Sequence, residues 1–144
     1  RAARLAARIR REHVLKDLYG LGERRGEWDT PVPLEALLER RAQGGGAALR
    51  CVRRLTRGGQ LERSEGGYRL SAAGRQVAEA VVRKHRLWEL YLTRRLELAE
   101  DHVHRDAEDM EHVLSDDAVA ELDELLGHPE RDPHGRRIPG RSAA

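Results

Sequence analysis

A mainly α-helical fold with a small β-wing is what this sequence predicts: a winged helix-turn-helix followed by an all-helical segment. Three observations carry that expectation. Apolar residues recur at helical spacing through most of the 144 residues. A short helical stretch, a glycine turn and an arginine-studded helix follow one another between Leu34 and Arg57. The period then changes to alternation around Ser64-Glu65-Gly66-Gly67, the signature of a hairpin.

The first helix is expected over residues 1–22, from Leu5, Ile9, Val14, Leu15, Leu18, Tyr19 and Leu21. Gly20 and Gly22 are expected to end it, with Glu23 to Thr30 as a loop. Pro31 and Pro33 set the entry of a second helix, L-E-A-L-L-E-R-R-A. Gly44 to Gly46 turn the chain into a third, Ala47 to Arg57, with Leu49, Val52 and Leu55 inward and Arg50, Arg53, Arg54 and Arg57 outward. Gly58-Gly59 stops it. The hairpin strands are Gln60 to Arg63 and Tyr68 to Leu70. Ser71 caps a long helix that runs, with a break, to about Leu98. Asp101 to Leu114 reads as another helix, and Ser115-Asp116-Asp117 opens a last one closed by Gly127. The remaining tail is turn-rich. Residues 1–71 thus form a winged helix-turn-helix domain, with 1–11 as a linker or juxtamembrane segment; residues 72–140 form a helical domain and 141–144 a tail.

Charged residues make up 36% of the sequence, and mean hydropathy is −0.73, so no membrane span is expected within it. The single cysteine, Cys51, excludes an internal disulfide framework and a multi-cysteine zinc site, and fits a reducing cytoplasm. The Arg-rich start lacks the apolar core of a signal peptide. Because the sequence opens at Arg1 rather than methionine, a fragment, a trimmed chain or the cytoplasmic tail of a longer protein is expected. The net charge of +2 conceals a polarity. Residues 1–86 hold 20 Lys or Arg against 10 Asp or Glu, a net of +10; residues 87–144 hold 7 against 15, a net of −8. A polyanion-binding half beside a cation-binding half follows.

If Asp101 to Leu114 is helical, His104, Glu108, Glu111 and His112 share one side. Two imidazoles and two carboxylates form a mixed nitrogen and oxygen set suited to Mn²⁺, Fe²⁺ or Zn²⁺. The alternative is a solvated acidic helix with two incidental histidines. No Gly-rich phosphate loop or nucleophile motif appears, so no enzyme and no small-molecule substrate are expected.

Three motifs in order carry a resemblance. They are G-R-x-x-A-x-x-V-x-R-K-H-R-L at Gly74 to Leu87, E-x-x-E-H-V-L-S at Glu108 to Ser115, and P-H-G-x-x-I-P-G at Pro133 to Gly140. From about Glu12 to Gly140 the chain resembles the diphtheria toxin repressor and manganese transport regulator family of metal-dependent transcription regulators. The resemblance implies a cytoplasmic homodimer that binds an operator in double-stranded DNA. It also implies two metal sites: His85, Glu89 and His104 in one, and Glu108, Glu111 and His112 with His13 of the first helix in the other. Glu108 stands where iron-responsive members carry cysteine, and the harder ligand favours Mn²⁺, with Fe²⁺ next and Zn²⁺ binding in vitro.

The chain departs from the family in three ways. Lys16 occupies the place of a second first-helix carboxylate. With the sequence ending shortly after Ile138-Pro139-Gly140, the SH3-like third domain of longer members is expected to be absent. The recognition helix reads G-G-G-A-A-L-R-C, whose alanines and leucine cannot hydrogen-bond base edges. Arg50 is left to contact guanine, while Arg53, Arg54 and Arg57 suit phosphates. His102, His128 and His134 are expected to be non-ligands, Trp88, Tyr91 and Met110 to serve packing, and Cys51 to be a small core residue. A second outcome is a metal-sensing extension of a metal ABC-transporter permease in the same polypeptide, for which the arginine-rich start serves as a juxtamembrane segment.

Overall fold

A computed structural model describes residues 1–39, 45–96 and 111–140. Its elements are α1 (Ala2–Arg25), α2 (Leu34–Glu39), α3 (Gly45–Arg57), β1 (Leu61–Ser64), β2 (Gly67–Leu70), α4 (Ala72–Leu96), a 3-10 turn (Glu111–Val113) and α5 (Asp116–Leu125). The chain divides after Glu79 into two compact units, and α4 contributes residues to each.

In the first unit α1 packs on α3 and β2, and α3 packs on α2 and β1. Leu15 and Leu18 of α1, Val52 and Leu55 of α3, and Leu61 of β1 are all at most 4% exposed and form the core. The hairpin registers Leu61 with Leu70 and Ser64 with Gly67, leaving Glu65-Gly66 as a two-residue loop. Val32 adds a third short edge: its N–H donates to Tyr68 O at 2.7 Å and its own carbonyl accepts from Tyr68 N–H at 2.9 Å. Three helices followed by this wing are the expected winged helix.

Two helix ends differ from expectation. α1 passes through Gly20 and Gly22 and stops at Gly26, whose φ of 76° turns the chain out of the helix. Gly22 serves another purpose, since a Cβ there would lie 2.1 Å from the Trp28 ring. Trp28 packs over that bare backbone, donates from Nε1 to Tyr19 O at 3.2 Å, and carries the Arg75 guanidinium 3.8 Å above its ring. α3 begins at Gly45, two residues before the expected Ala47. Helical Gly45 and Gly46 lie where a turn was expected, because backbone hydrogen bonding tolerates glycine at a weakly preferred position.

In the second unit Leu87 and Leu90 of α4 meet Val119 of α5, Leu126 and Ile138, with Tyr91 and Leu114 against them. Trp88 stacks on Tyr91 at 5.4 Å and both cover Leu92. Ser115 caps α5 by accepting from Ala118 N–H at 3.1 Å, and Asp116 and Asp117 complement the helix N-terminus. α4 runs without a break through Leu96. Within the turn-rich tail, residues 128–140 are organised by hydrogen bonds. Arg131 and Arg137 bridge, and Asp132 accepts from the backbone N–H groups of His134 (2.9 Å) and Arg136 (2.8 Å) and from Arg136 Nε (2.9 Å).

Candidate metal centre and basic groove

One stretch of α4 is buried all round although half of it is polar: Arg83, Lys84, His85, Arg86 and Glu89 are each 8% exposed or less. Charged groups are buried at this density only where partners meet them. Arg83 pairs with Asp123 at 3.2 Å. Arg86 donates from Nη1 to the carbonyl of Arg137. His85 and Glu89, one turn apart, lie 3.0 Å from each other through Nε2 and Oε2.

A continuous chain of contacts starts from that pair. His85 Nδ1 lies 2.9 Å from Glu111 Oε2, and Glu111 Oε1 lies 3.4 Å from His112 Nε2. At the other end, His134 Nδ1 lies 2.5 Å from Glu89 Oε1 and Arg136 Nη2 lies 3.8 Å from Glu89 Oε2. Glu89 and Glu111 are fully buried and His112 is 1% exposed. Both nitrogens of His85 therefore face carboxylate oxygens, and both oxygens of Glu111 face imidazoles. Among the described residues of this unit, Glu89, Asp132 and His134 bring one ligand atom each within 4.8 Å of one another. Asp132 is already engaged by Arg136 and stands 4.0 Å from Arg86 Nε. The cluster offers buried nitrogen and oxygen donors and no thiolate, the chemistry that fits a borderline-to-hard divalent ion.

His85, Glu89, Glu111 and His112 are thus brought together. Two expected sets are linked by a direct His85–Glu111 contact. His13 lies half-buried on α1 in the first unit. Asp101 to Met110, with His102, His104 and Glu108, lie outside the described residues. Glu111 and His112 sit on a 3-10 turn rather than the expected α-helix; Ser115, capping α5 just after, ends the preceding segment in a tight turn. His134, expected to be a non-ligand, is folded back onto Glu89 by the Asp132-centred turn. The signal lies in P-H-G-x-x-I-P-G, a motif that sets His134 four residues before the buried Ile138. His128, by contrast, is exposed and pairs with Asp123 at 2.7 Å, outside the cluster.

Arg50, Arg53, Arg54 and Arg57 are all exposed on α3. With Arg10 and Arg11 of α1, they line a groove of about 400 Å³. Cys51 forms part of its wall. Burial pushes that thiol up from its ordinary range, while Arg11, Arg10 and Arg54 pull it partly back.

A winged helix joined to a helical unit with a buried imidazole–carboxylate cluster defines the class of winged-helix proteins bearing a metal-binding domain. Residues 71–140 match the family described as iron dependent repressor, metal binding and dimerisation domain. Over those residues the chain resembles the metal-binding and dimerisation domain of iron-dependent repressors. It is 36% identical over 131 residues to the iron-dependent repressor IdeR of Mycobacterium leprae, covering 90% of this chain and 55% of that one. It is 42% identical over 88 residues to a probable metal transport system membrane protein of Chlamydia trachomatis, covering 61% of this chain and 20% of that one. The solved manganese regulator SloR superposes with a TM-score of 0.79 at 32% identity, over 92% of this chain and 60% of that one. The chain spans about half the length of the curated repressors it matches. Among the described residues no helix is long and apolar enough to cross a membrane.

Proposed function

We propose that this chain is the metal-sensing and DNA-binding part of a divalent-metal-dependent transcriptional repressor, acting as a homodimer in the cytoplasm on Mn²⁺ or Fe²⁺. The observation that carries the reading is the buried run Glu89–His85–Glu111–His112. Four polar side chains held inside a helical unit cost desolvation that packing alone does not return. A divalent ion, when bound, supplies the positive charge that two buried carboxylates call for. His112 and Glu111 would hold it together with Glu108 and His13, and His85 and Glu89 would hold a second with His104 and His134. The relatives' names support the choice of metal, since they are iron-dependent repressors and a manganese regulator.

The chain's own residues supply the rest. α3 presents Arg50 to a base edge and Arg53, Arg54 and Arg57 to phosphates. Metal binding would then select the state competent for DNA rather than add a contact. The test is the binding of labelled operator-containing duplex to the full protein with and without Mn²⁺. His112→Ala should abolish the metal-dependent part; equal binding with and without metal contradicts the reading.

A second reading has its own observation, the 42% identity to the chlamydial metal transport membrane protein. In it the same sensor is the cytoplasmic regulatory domain of a metal-ion permease, and gates uptake. The full-length reading frame discriminates: apolar spans of about twenty residues in the same polypeptide favour the permease.

A further inference from the structure

We propose that the groove between α1 and α3 binds a compact polyphosphate, a small molecule with two or more adjacent phosphate groups, on a cradle of six guanidinium groups. The inference needs no metal and goes beyond the reading above. Only its consequence for DNA rests on that reading.

Positions 50, 53, 54 and 57 repeat at helical spacing, so four arginines share one face of α3. Arg10 and Arg11 bring two more from α1 into the same concavity, and among the described residues no carboxylate lines it. Three arginines of this unit outside the groove are paired: Arg8 with Glu12 at 3.5 Å, Arg69 with Glu62 at 3.1 Å and Arg75 with Glu79 at 3.5 Å. Among the described residues none of the six groove arginines has an ion-pair partner. Six like charges around one hollow focus a field that favours an anion of high charge density. Planar guanidinium forks match phosphate oxygens in pairs, which a single monovalent anion cannot exploit.

Shape selects the size of the ligand. The volume of about 400 Å³ falls within the range of small-molecule sites. Ala7 and Ala47 leave the hollow open between the arginines. A duplex meets a protruding helix and cannot fill such a recess, whereas a short phosphate chain can. Cys51 in the wall senses the same convergence, since Arg11, Arg10 and Arg54 all act on its thiol. Because α3 supplies both surfaces, an occupied groove and a DNA-bound α3 compete for the same arginines.

The single native cysteine gives a local readout. The full chain is alkylated at Cys51 with uncharged iodoacetamide in the presence of tripolyphosphate, orthophosphate or sulfate at matched ionic strength, and tripolyphosphate is titrated by calorimetry in parallel. The expected result is saturable protection and a single calorimetric site with tripolyphosphate alone. Arg53→Gln with Arg54→Gln should weaken it by about tenfold per guanidinium removed, with the circular dichroism spectrum unchanged. Equal protection by sulfate, no calorimetric site, or undiminished binding in the double variant overturns the proposal. Mn²⁺ titration of the same samples reads the metal cluster separately, so failure of one site is not mistaken for failure of the other. Displacement of labelled duplex by tripolyphosphate tests the competition.

Discussion

His85 and Glu111, 26 positions apart in the chain, meet at 2.9 Å in the interior of the helical unit. That contact ties a residue of α4 to one of the 3-10 turn. Glu111→Gln removes the carboxylate charge and keeps the shape. Mn²⁺ affinity is expected to fall roughly 100-fold, as measured by calorimetric titration. In the unmodified chain Mn²⁺ at one hundred times its Kd should stabilise the fold by about 2.7 kcal/mol, read from the denaturant midpoint. Glu111→Gln should lose most of that gain.

His134 tests the tail. Its imidazole reaches Glu89 at 2.5 Å from a turn held by Asp132. His134→Ala should weaken Mn²⁺ binding at one site by roughly 10–100-fold and leave the other untouched. Elemental analysis at limiting Mn²⁺ should therefore show fewer ions per chain. Unchanged stoichiometry and affinity would show that the tail histidine is no ligand.

Gly74 opens the first of the three sequence motifs, and its role is packing. A Cβ there would lie 1.8 Å from the carbonyl oxygen of Gln60. Ser71 fixes the same junction by donating to Gly59 O at 2.5 Å and accepting from Gly74 N–H at 3.0 Å. Gly74→Ala is expected to destabilise the first unit by about 1–3 kcal/mol or more, and Ser71→Ala by about 1 kcal/mol, in urea denaturation.

Glu27 provides a pH signature away from the metal cluster. Hydrogen bonds from Thr30, side chain and backbone, and from the Asp29 N–H hold its carboxyl below the usual range. A lowered folded pKa means that the unfolded chain binds the proton more tightly. The stabilisation is present above the unfolded pKa and disappears as pH falls through the folded one. Glu27→Gln should be less stable than the parent at pH 7, and the two should converge in acid. A constant difference across that range would contradict the assignment.

Local rules made most of this legible. The hairpin needed only Gly66 and Gly67 between alternating strands, and α5 needed only Ser115 and its acidic first turn. The end of α1 was not legible, because Gly22 looks like a terminator until Trp28 is seen covering it. His85, Glu89, Glu111 and His112 were readable from spacing and resemblance. The His85–Glu111 contact and the return of His134 were not. Both depend on how a 3-10 turn and an Asp132-centred loop close over α4, and such long-range closure leaves no periodic trace in sequence. Arg10 and Arg11 escaped for a similar reason: only the packing of α1 on α3 puts them in one groove with Arg50.

X-ray absorption at the manganese edge of the Mn²⁺-loaded chain tests the central claim most directly. The account predicts a shell of mixed nitrogen and oxygen neighbours with the outer scattering of imidazole rings, lost or reduced in Glu111→Gln. A spectrum of oxygen neighbours alone, matching the hydrated ion in buffer, would contradict it.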